Sequence, residues 1–357
     1  VTLRGRTREL LAREWLPLLA VALLLLATAW SRRIPAWSRD ELEVLALLGA
    51  LLVAVRGLTL SGLVRRLARR IEAGRWVPLR LVLATWLLSM VVTNDVALLA
   101  VVPLTLALRR DDRGRLVILE ALAANAGSAL TPVGNPQNLF LYWHYRLHPA
   151  EFVAAIAPFS LAFLVVTAGL AFFASRGDGP APAGPWRPVA RGPAVGWATV
   201  LALVVLVVLH VLPFPWFVAA PAAALLLDRR ALAIDWGLLV AFACFFGIAD
   251  DLRAVLASSL TGTTHVFLLS ALASQVLSNV PAALLFSEFT TNWRALLWGV
   301  SVGGFGTLVA SLANLIAWRL YVADPTTGDG GRFTLRFHLV GAAMLALGLA
   351  LWPVLGR

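Results

Sequence analysis

The chain has 357 residues, of which 60% are hydrophobic and 14% charged, with a mean hydropathy of +0.83. Soluble domains run nearer about 45–50% apolar and about 25% charged, so this balance excludes a soluble enzyme or binding domain and implies an integral membrane protein of many spans. The formal charge of +11 rests on arginine alone, in short clusters between apolar runs, and so orients the chain in a bilayer rather than marking a nucleic-acid surface.

A first span is expected at about 14–30, after Arg4, Arg6, Arg8 and Arg13, and reads as a retained helix rather than a cleaved leader. A second span at 42–57 leads to a basic segment with Arg65, Arg66, Arg69, Arg70 and Arg75. The positive-inside tendency places that segment, and with it the N-terminus, in the cytoplasm.

The stretch 79–108 is the centre of the first half. Two apolar arms of about 14 residues, roughly 21 Å each as helix, meet at Thr93-Asn94-Asp95, and neither is long enough for a hydrocarbon core of about 30 Å. Arg75 and Arg80 precede it and Arg109, Arg110, Arg113 and Arg115 come after it, so both ends ask for the same side. A re-entrant helical hairpin with a polar tip satisfies both constraints; two full spans joined by a short loop are the simpler alternative. A polar tip at membrane depth is tolerable only inside protein or a water-filled cavity, which makes it a binding-site candidate.

Next, the apolar run 116–124 meets Asn125 to Asn138, whose glycines and two prolines break a helix before Leu139–Trp143 resumes it. A span at 152–174 leads into a Gly/Pro/Ala-rich linker at 177–192 with Arg187 and Arg191. Spans are then expected at 196–212, 216–227 and 232–249. A second hairpin comes next, with arms at 256–277 and 280–290 turning at Ser278-Asn279-Val280-Pro281, and then a second broken helix at 293–318. That helix is interrupted at Gly303–Thr307 and Ser311–Asn314. A last span at 337–353 closes the chain, and Trp143, Tyr145 and Trp216 fall near span ends, where an interfacial belt is expected.

The two halves resemble one another. An offset of 176 carries Gly127 onto Gly303, Thr131 onto Thr307, Asn135 onto Ser311 and Asn138 onto Asn314; an offset of 185 carries Thr93-Asn94 onto Ser278-Asn279. One additional span separates the halves, so the repeats have inverted topology, an architecture of secondary transporters with interrupted helices at mid-membrane. The expected organisation is a first repeat at 1–175 containing hairpin 79–108, a linker and connecting span at 176–213, and a second repeat at 214–357 containing hairpin 256–290. The fold class is an all-α polytopic membrane protein.

The residue types at the breaks suggest the chemistry. Thr93, Asn94, Thr131, Asn135, Ser278, Asn279, Thr307 and Ser311 offer compact oxygens for a hard cation such as Na⁺, and helix N-termini offer N–H donors to an anion. The expected substrate contacts are Thr93, Asn94, Asn135, Asn138, Ser278, Asn279, Ser311 and Asn314. Asp95, the one acid at a tip, either ligates the cation, carries a proton or caps the second arm. Asn125 and Ser128 read as ligands at the helix break, while Glu120, His265 and Gln275 stay open between cavity and packing roles. Cys244 stands alone and five histidines are dispersed, so no metal cluster, catalytic constellation or cofactor is expected.

The Thr93-Asn94-Asp95 tip, the segment Thr131-Pro-Val-Gly-Asn-Pro-Gln-Asn138 and the Ser278-Asn279-Val280-Pro281 tip together resemble the ion transporter superfamily. That group holds divalent anion:sodium symporters, arsenite permeases, citrate transporters and a branch of sodium/proton antiporters. In the dicarboxylate branch each tip reads Ser-Asn-Thr; Asp95 and Val280 stand here in place of the threonines, which is more like the arsenite-permease and anion-permease branches. The resemblance implies elevator transport of a small anion, an oxyanion or carboxylate, coupled to Na⁺ or H⁺. It also implies a homodimer in the inner membrane of a bacterium or archaeon. Na⁺/H⁺ exchange through Asp95 is the second expectation.

Overall fold

The computed structural model describes residues 15–64, 66, 75–108, 112–175, 191–256 and 262–356, and these are helical with no strand among them. The expectations for Arg4 to Arg13, for Arg65, Arg69, Arg70, Arg109 and Arg110, for the side of the N-terminus, and for most of the 177–192 linker lie outside the described residues.

Local chemistry sets the helix ends. Helix α1 is Trp15–Ser31, and α2, Arg39–Leu60, starts at a capping box in which Ser38 and Glu41 satisfy each other's backbone N–H groups. Next, α3 (Val77–Val92) and α4 (Asn94–Ala107) are joined by Thr93 alone. The first broken helix is α5 (Arg113–Ala129) and α6 (Pro136–His144), the latter opened by Asn135 as cap and proline at its first position. Helix α7 is Pro149–Ala174 and α8 is Arg191–Val208. A 3₁₀ turn at Phe214–Val218 runs into the nine-residue α9, Ala219–Leu227, and α10 is Trp236–Leu256. Then α11 (Thr263–Leu277) and α12 (Asn279–Ser287) are joined by Ser278. The second broken helix is α13 (Trp293–Gly303) and α14 (Leu312–Ala323), and α15, Gly330–Leu355, ends the chain.

Among the described residues, four stretches are long and apolar enough to cross a membrane unaided: Arg39–Leu60, Pro149–Ala174, Arg229–Asp251 and Gly330–Leu355. The expected span at 216–227 is not a full one. Only nine of its residues are α-helical, about 14 Å of rise, because Pro213 and Pro215 hold the preceding turn out of the α-helix. The breaks are also narrower than expected. Asn125 to Ala129 stay helical, leaving residues 130–135 as the first break and 304–311 as the second. Helix α10 runs on past 249 to Leu256, so the expected entering arm at 256–277 is helical only from Thr263, and α12 ends at Ser287 rather than near 290.

The helices pack in two groups. One contains α1 against α10 and α2 against α8 and α9; the other contains α3–α7 with α11–α15. The groups touch where α2 meets α6 and α10 meets α12, and an apolar cleft of about 470 Å³ lies between α3 and the α2–α8 pair. Within the second group α4 packs on α14 and α12 on α6, so each paired helix reaches across to the other half's broken helix. The Tyr145 hydroxyl donates to the Thr290 carbonyl at 2.7 Å, tying the α6–α7 turn to the segment after α12.

Candidate functional site

Each helix pair turns on one residue of the same unusual conformation: Thr93 at φ 74°, ψ 153°, and Ser278 at φ 78°, ψ 152°. Non-glycine residues rarely occupy this region, and doing so costs on the order of 1–3 kcal/mol, so surrounding contacts must hold it. The next residue's N–H supplies one such contact. That of Asn94 donates to the Gly134 carbonyl at 3.1 Å, and that of Asn279 to the Ala310 carbonyl at 2.9 Å, so each turn is pinned to the break of its own half.

The same set of contacts recurs throughout. Thr131 Oγ1 donates to the Met90 carbonyl at 2.6 Å, as Thr307 Oγ1 does to the Gln275 carbonyl at 2.9 Å. Asn138 Nδ2 donates to the carbonyls of Ser128, Ala129 and Thr131, and Asn314 Nδ2 to those of Gly304 and Thr307. These are the carbonyls freed when the helix stops, and a short amide reaching back satisfies them inside an apolar body. Close packing explains two glycines: a Cβ at Gly127 would lie 2.2 Å from the Trp86 carbonyl oxygen, and one at Gly303 would lie 2.6 Å from the Ser274 side chain.

Asn125 joins the halves. Its Oδ1 accepts from Asn94 Nδ2 at 3.3 Å and from Ser311 Oγ at 3.0 Å, while its Nδ2 donates to Asn314 Oδ1 at 2.8 Å. The Ser128 hydroxyl donates to the Asn125 carbonyl and accepts from Asn135 Nδ2 at 3.1 Å. Asn94, Asn135, Ser311 and Asn314 therefore meet in one buried network whose hub is Asn125, and none of these side chains is cationic. Thr93, Ser278 and Asn279 flank it as buried turn residues. Thr131, Thr307 and Asn138 hold the backbone of the breaks instead.

Several buried oxygens lack a protein partner: Asp95 Oδ1, Asn138 Oδ1 and Ser301 Oγ beside the breaks, and Glu120 Oε2 further along α5. Asp95 makes no capping bond; its own N–H donates to Asn94 Oδ1 at 3.0 Å, and α4 begins with no side-chain cap. Asp95 Oδ1 and Asn138 Oδ1 are acceptor oxygens of the kind a hard cation takes. Glu120 is fully buried against the Thr105 hydroxyl, a pairing of α5 with α4 away from the network. Gln275, left open by its spacing, bridges the second break by donating to the Gly303 carbonyl and accepting from the Thr307 N–H. His265 lies exposed in the first turn of α11, away from the break. Ser301 carries no signal in its sequence neighbourhood, although it sits at the position matching Asn125.

Among the described residues no group of histidine, cysteine and acidic side chains is arranged to hold a transition metal. Spanning helices, interrupted helices and a buried polar network between them define a polytopic membrane transporter. The chain belongs to the citrate-transporter family, whose model matches residues 9–303. It is 36% identical over 330 residues to the inner membrane protein YbiR of Escherichia coli, covering 86% of this chain and 84% of that protein. It is 31% identical over 283 residues to the uncharacterized transporter MJ0456 of Methanocaldococcus jannaschii, covering 75% and 76%. A shorter match, 34% over 134 residues, is to the silicon efflux transporter LSI3 of Oryza sativa, covering 36% of this chain and 28% of that one. The protein is thus a secondary transporter of small solutes rather than an enzyme.

Proposed function

We propose that the protein moves a small anion, an inorganic oxyanion or a carboxylate, coupled to Na⁺ or H⁺, by an elevator motion. The observation that carries this reading is the Asn94–Asn125–Asn314–Ser311 network, where two helix breaks and the turns pinned to them come together. In this reading 1–175 and 214–357 are inverted repeats, the pairs α3–α4 and α11–α12 are re-entrant hairpins, and residues 176–213 connect the repeats. The recurrence of turn, pinning bond and carbonyl clamp in both halves supports it.

Substrate chemistry comes from the side chains. Helices α4, α12 and α14 begin near the network without side-chain caps, so their N-terminal dipoles favour a negative charge without an arginine. Thr93, Asn94, Asn135, Ser278, Asn279, Ser311 and Asn314 fit a compact oxyacid better than a bulky polyanion, with Asn138 holding the break. The name of LSI3, a silicon efflux transporter, is consistent with such a solute; a tricarboxylate, as the family's description would suggest, fits less well. The coupling cation sits at Asp95 with oxygens from Thr93, Asn94, Thr131 and Asn135, and a matching site uses Ser278, Asn279, Thr307 and Ser311. The group α3–α7 with α11–α15 moves against α1, α2 and α8–α10, which supply the contact for a homodimer.

The orphaned Asp95 Oδ1 favours one second reading, Na⁺/H⁺ exchange in which Asp95 is the ion carrier. Proteoliposomes separate the two. Flux of silicate, arsenite, phosphate or mono- and dicarboxylates is measured under separate Na⁺ and proton gradients. Anion uptake that rises with a cation gradient supports the proposal. A sodium-driven pH change needing no anion replaces it with exchange, and neither activity in folded protein rejects both.

A further inference from the structure

A separate cavity of about 320 Å³ opens where α5 and α15 begin and α14 ends, with Arg113, Arg115, Arg332 and Arg336 among its lining residues. Arg115 lies ten residues before Asn125 on α5, about 15 Å along the helix, so this space is distinct from the polar network. One wall is the stack of Tyr321 on Phe333, with ring centroids 3.9 Å apart and planes at 13°. Gly114 lets the first turn of α5 lie against it, since a Cβ there would stand 3.2 Å from the Tyr321 hydroxyl and 3.3 Å from Phe333.

The charges around the cavity are not mutually satisfied. Arg113 is a structural clamp, donating to the Leu106 carbonyl and to both the hydroxyl and the carbonyl of Thr326. The nearby acids are occupied. Asp329 caps the Gly331 N–H at 2.8 Å, and Asp324 accepts from the Thr326 N–H and hydroxyl, which with Arg113 hold its carboxyl below the usual range. Asp112 is likewise not free. The guanidinium groups of Arg115, Arg332 and Arg336 remain exposed, with no side-chain hydrogen bond or ion pair to any described residue. Arg332 and Arg336 stand one turn apart on one face of α15, where like charges repel. Helix α5 begins at this wall with no side-chain cap on its first N–H groups.

Placement narrows the ligand. Helix α15 has 26 residues, about 39 Å, against a hydrocarbon core of about 30 Å, so its first turns stand in the headgroup layer. Leu335 and Leu339, 61% and 62% exposed, continue beside the arginines as an acyl-facing surface. Guanidinium forks match the oxygens of a phosphate group better than a point charge does. We propose that this cavity binds a phosphate group, held by Arg115, Arg332 and Arg336, from an anionic lipid headgroup or from free phosphate. The inference does not depend on which solute is transported.

The test uses the purified full chain in neutral detergent, titrated with dioctanoyl phosphatidylglycerol, dioctanoyl phosphatidylcholine or inorganic phosphate, with Tm read from tryptophan fluorescence. Phosphatidylglycerol is expected to raise Tm by a few degrees while phosphatidylcholine does not. The variants Arg115→Gln and Arg332→Gln/Arg336→Gln should weaken that response by about tenfold or more in apparent affinity. Arg294→Gln, which alters an α13 arginine facing Glu151 of α7, should leave it unchanged. A response to inorganic phosphate as well assigns a free anion; a response to phosphatidylglycerol alone assigns the lipid. Absence of any response in the wild type, or wild-type affinity in variants that melt normally without ligand, overturns the proposal.

Discussion

Replacing Asn125 by alanine tests whether one amide joins the two halves. Three side chains lose their only observed partner for one atom each: Asn94 Nδ2, Ser311 Oγ and Asn314 Oδ1. A buried polar atom left unpaired costs about 1–3 kcal/mol in water-soluble proteins, whereas interhelical bonds in membranes average nearer about 0.6 kcal/mol. All three residues are at most 5% exposed, so solvent cannot easily replace the lost partner. Taken together, the expected loss for Asn125→Ala is about 2–4 kcal/mol, with solute flux in proteoliposomes falling at least as far as the folded fraction. Stability is measured by reversible unfolding in mixed detergent, alone and in a double-mutant cycle with Asn314→Ala. A coupling of about 1 kcal/mol is expected, since the second substitution removes an atom the first has already orphaned. Additive effects, or an Asn125→Ala protein with wild-type stability and flux, refute the network.

Other residues give shorter tests. Gly127→Ala and Gly303→Ala should each lower stability by about 1–3 kcal/mol or more, Gly127 the more because its Cβ meets backbone oxygen. Gly169→Ala, where nothing lies within 4 Å, is the matched comparison and should melt near wild type. Thr93→Gly relieves a strained backbone but removes a proposed ligand, so Tm should hold or rise while flux drops; a Tm loss of many degrees would count against the strained turn. Asp95→Asn should leave folding intact and change the dependence of transport on the Na⁺ or proton gradient; an unchanged coupling pattern removes Asp95 from the proposed cation site. Gln275→Ala breaks the bridge across the second break and should destabilise by about 1–2 kcal/mol, read by the same unfolding assay.

Much of this architecture is legible in the amino-acid order alone. Run lengths and composition determine an all-helical membrane protein, and Gly-Pro-Asn segments determine where helices stop, because proline cannot donate and freed carbonyls need amides nearby. The two turns can be located to within three or four residues, at Thr93-Asn94-Asp95 and Ser278-Asn279-Val280-Pro281, and the offset of 176 pairs Thr131 with Thr307 and Asn138 with Asn314, which make equivalent bonds each within its own half. Length misleads at 216–227, where apolar composition looks like a span although two prolines have already used up its first turns.

What the chain cannot show by itself is which polar side chain faces which. Asn125 reads as one ligand among several at a break, yet it is helical and bonds to Asn314 across 189 positions. Gln275 and Met90 occupy matching places in the two halves, but only the fold reveals that their carbonyls take the Thr307 and Thr131 hydroxyls. Periodicity and helix breaking are local properties and leave marks in a few adjacent residues. The choice of hydrogen-bond partner is made only when distant helices pack and bring a particular donor within about 3 Å of a particular acceptor.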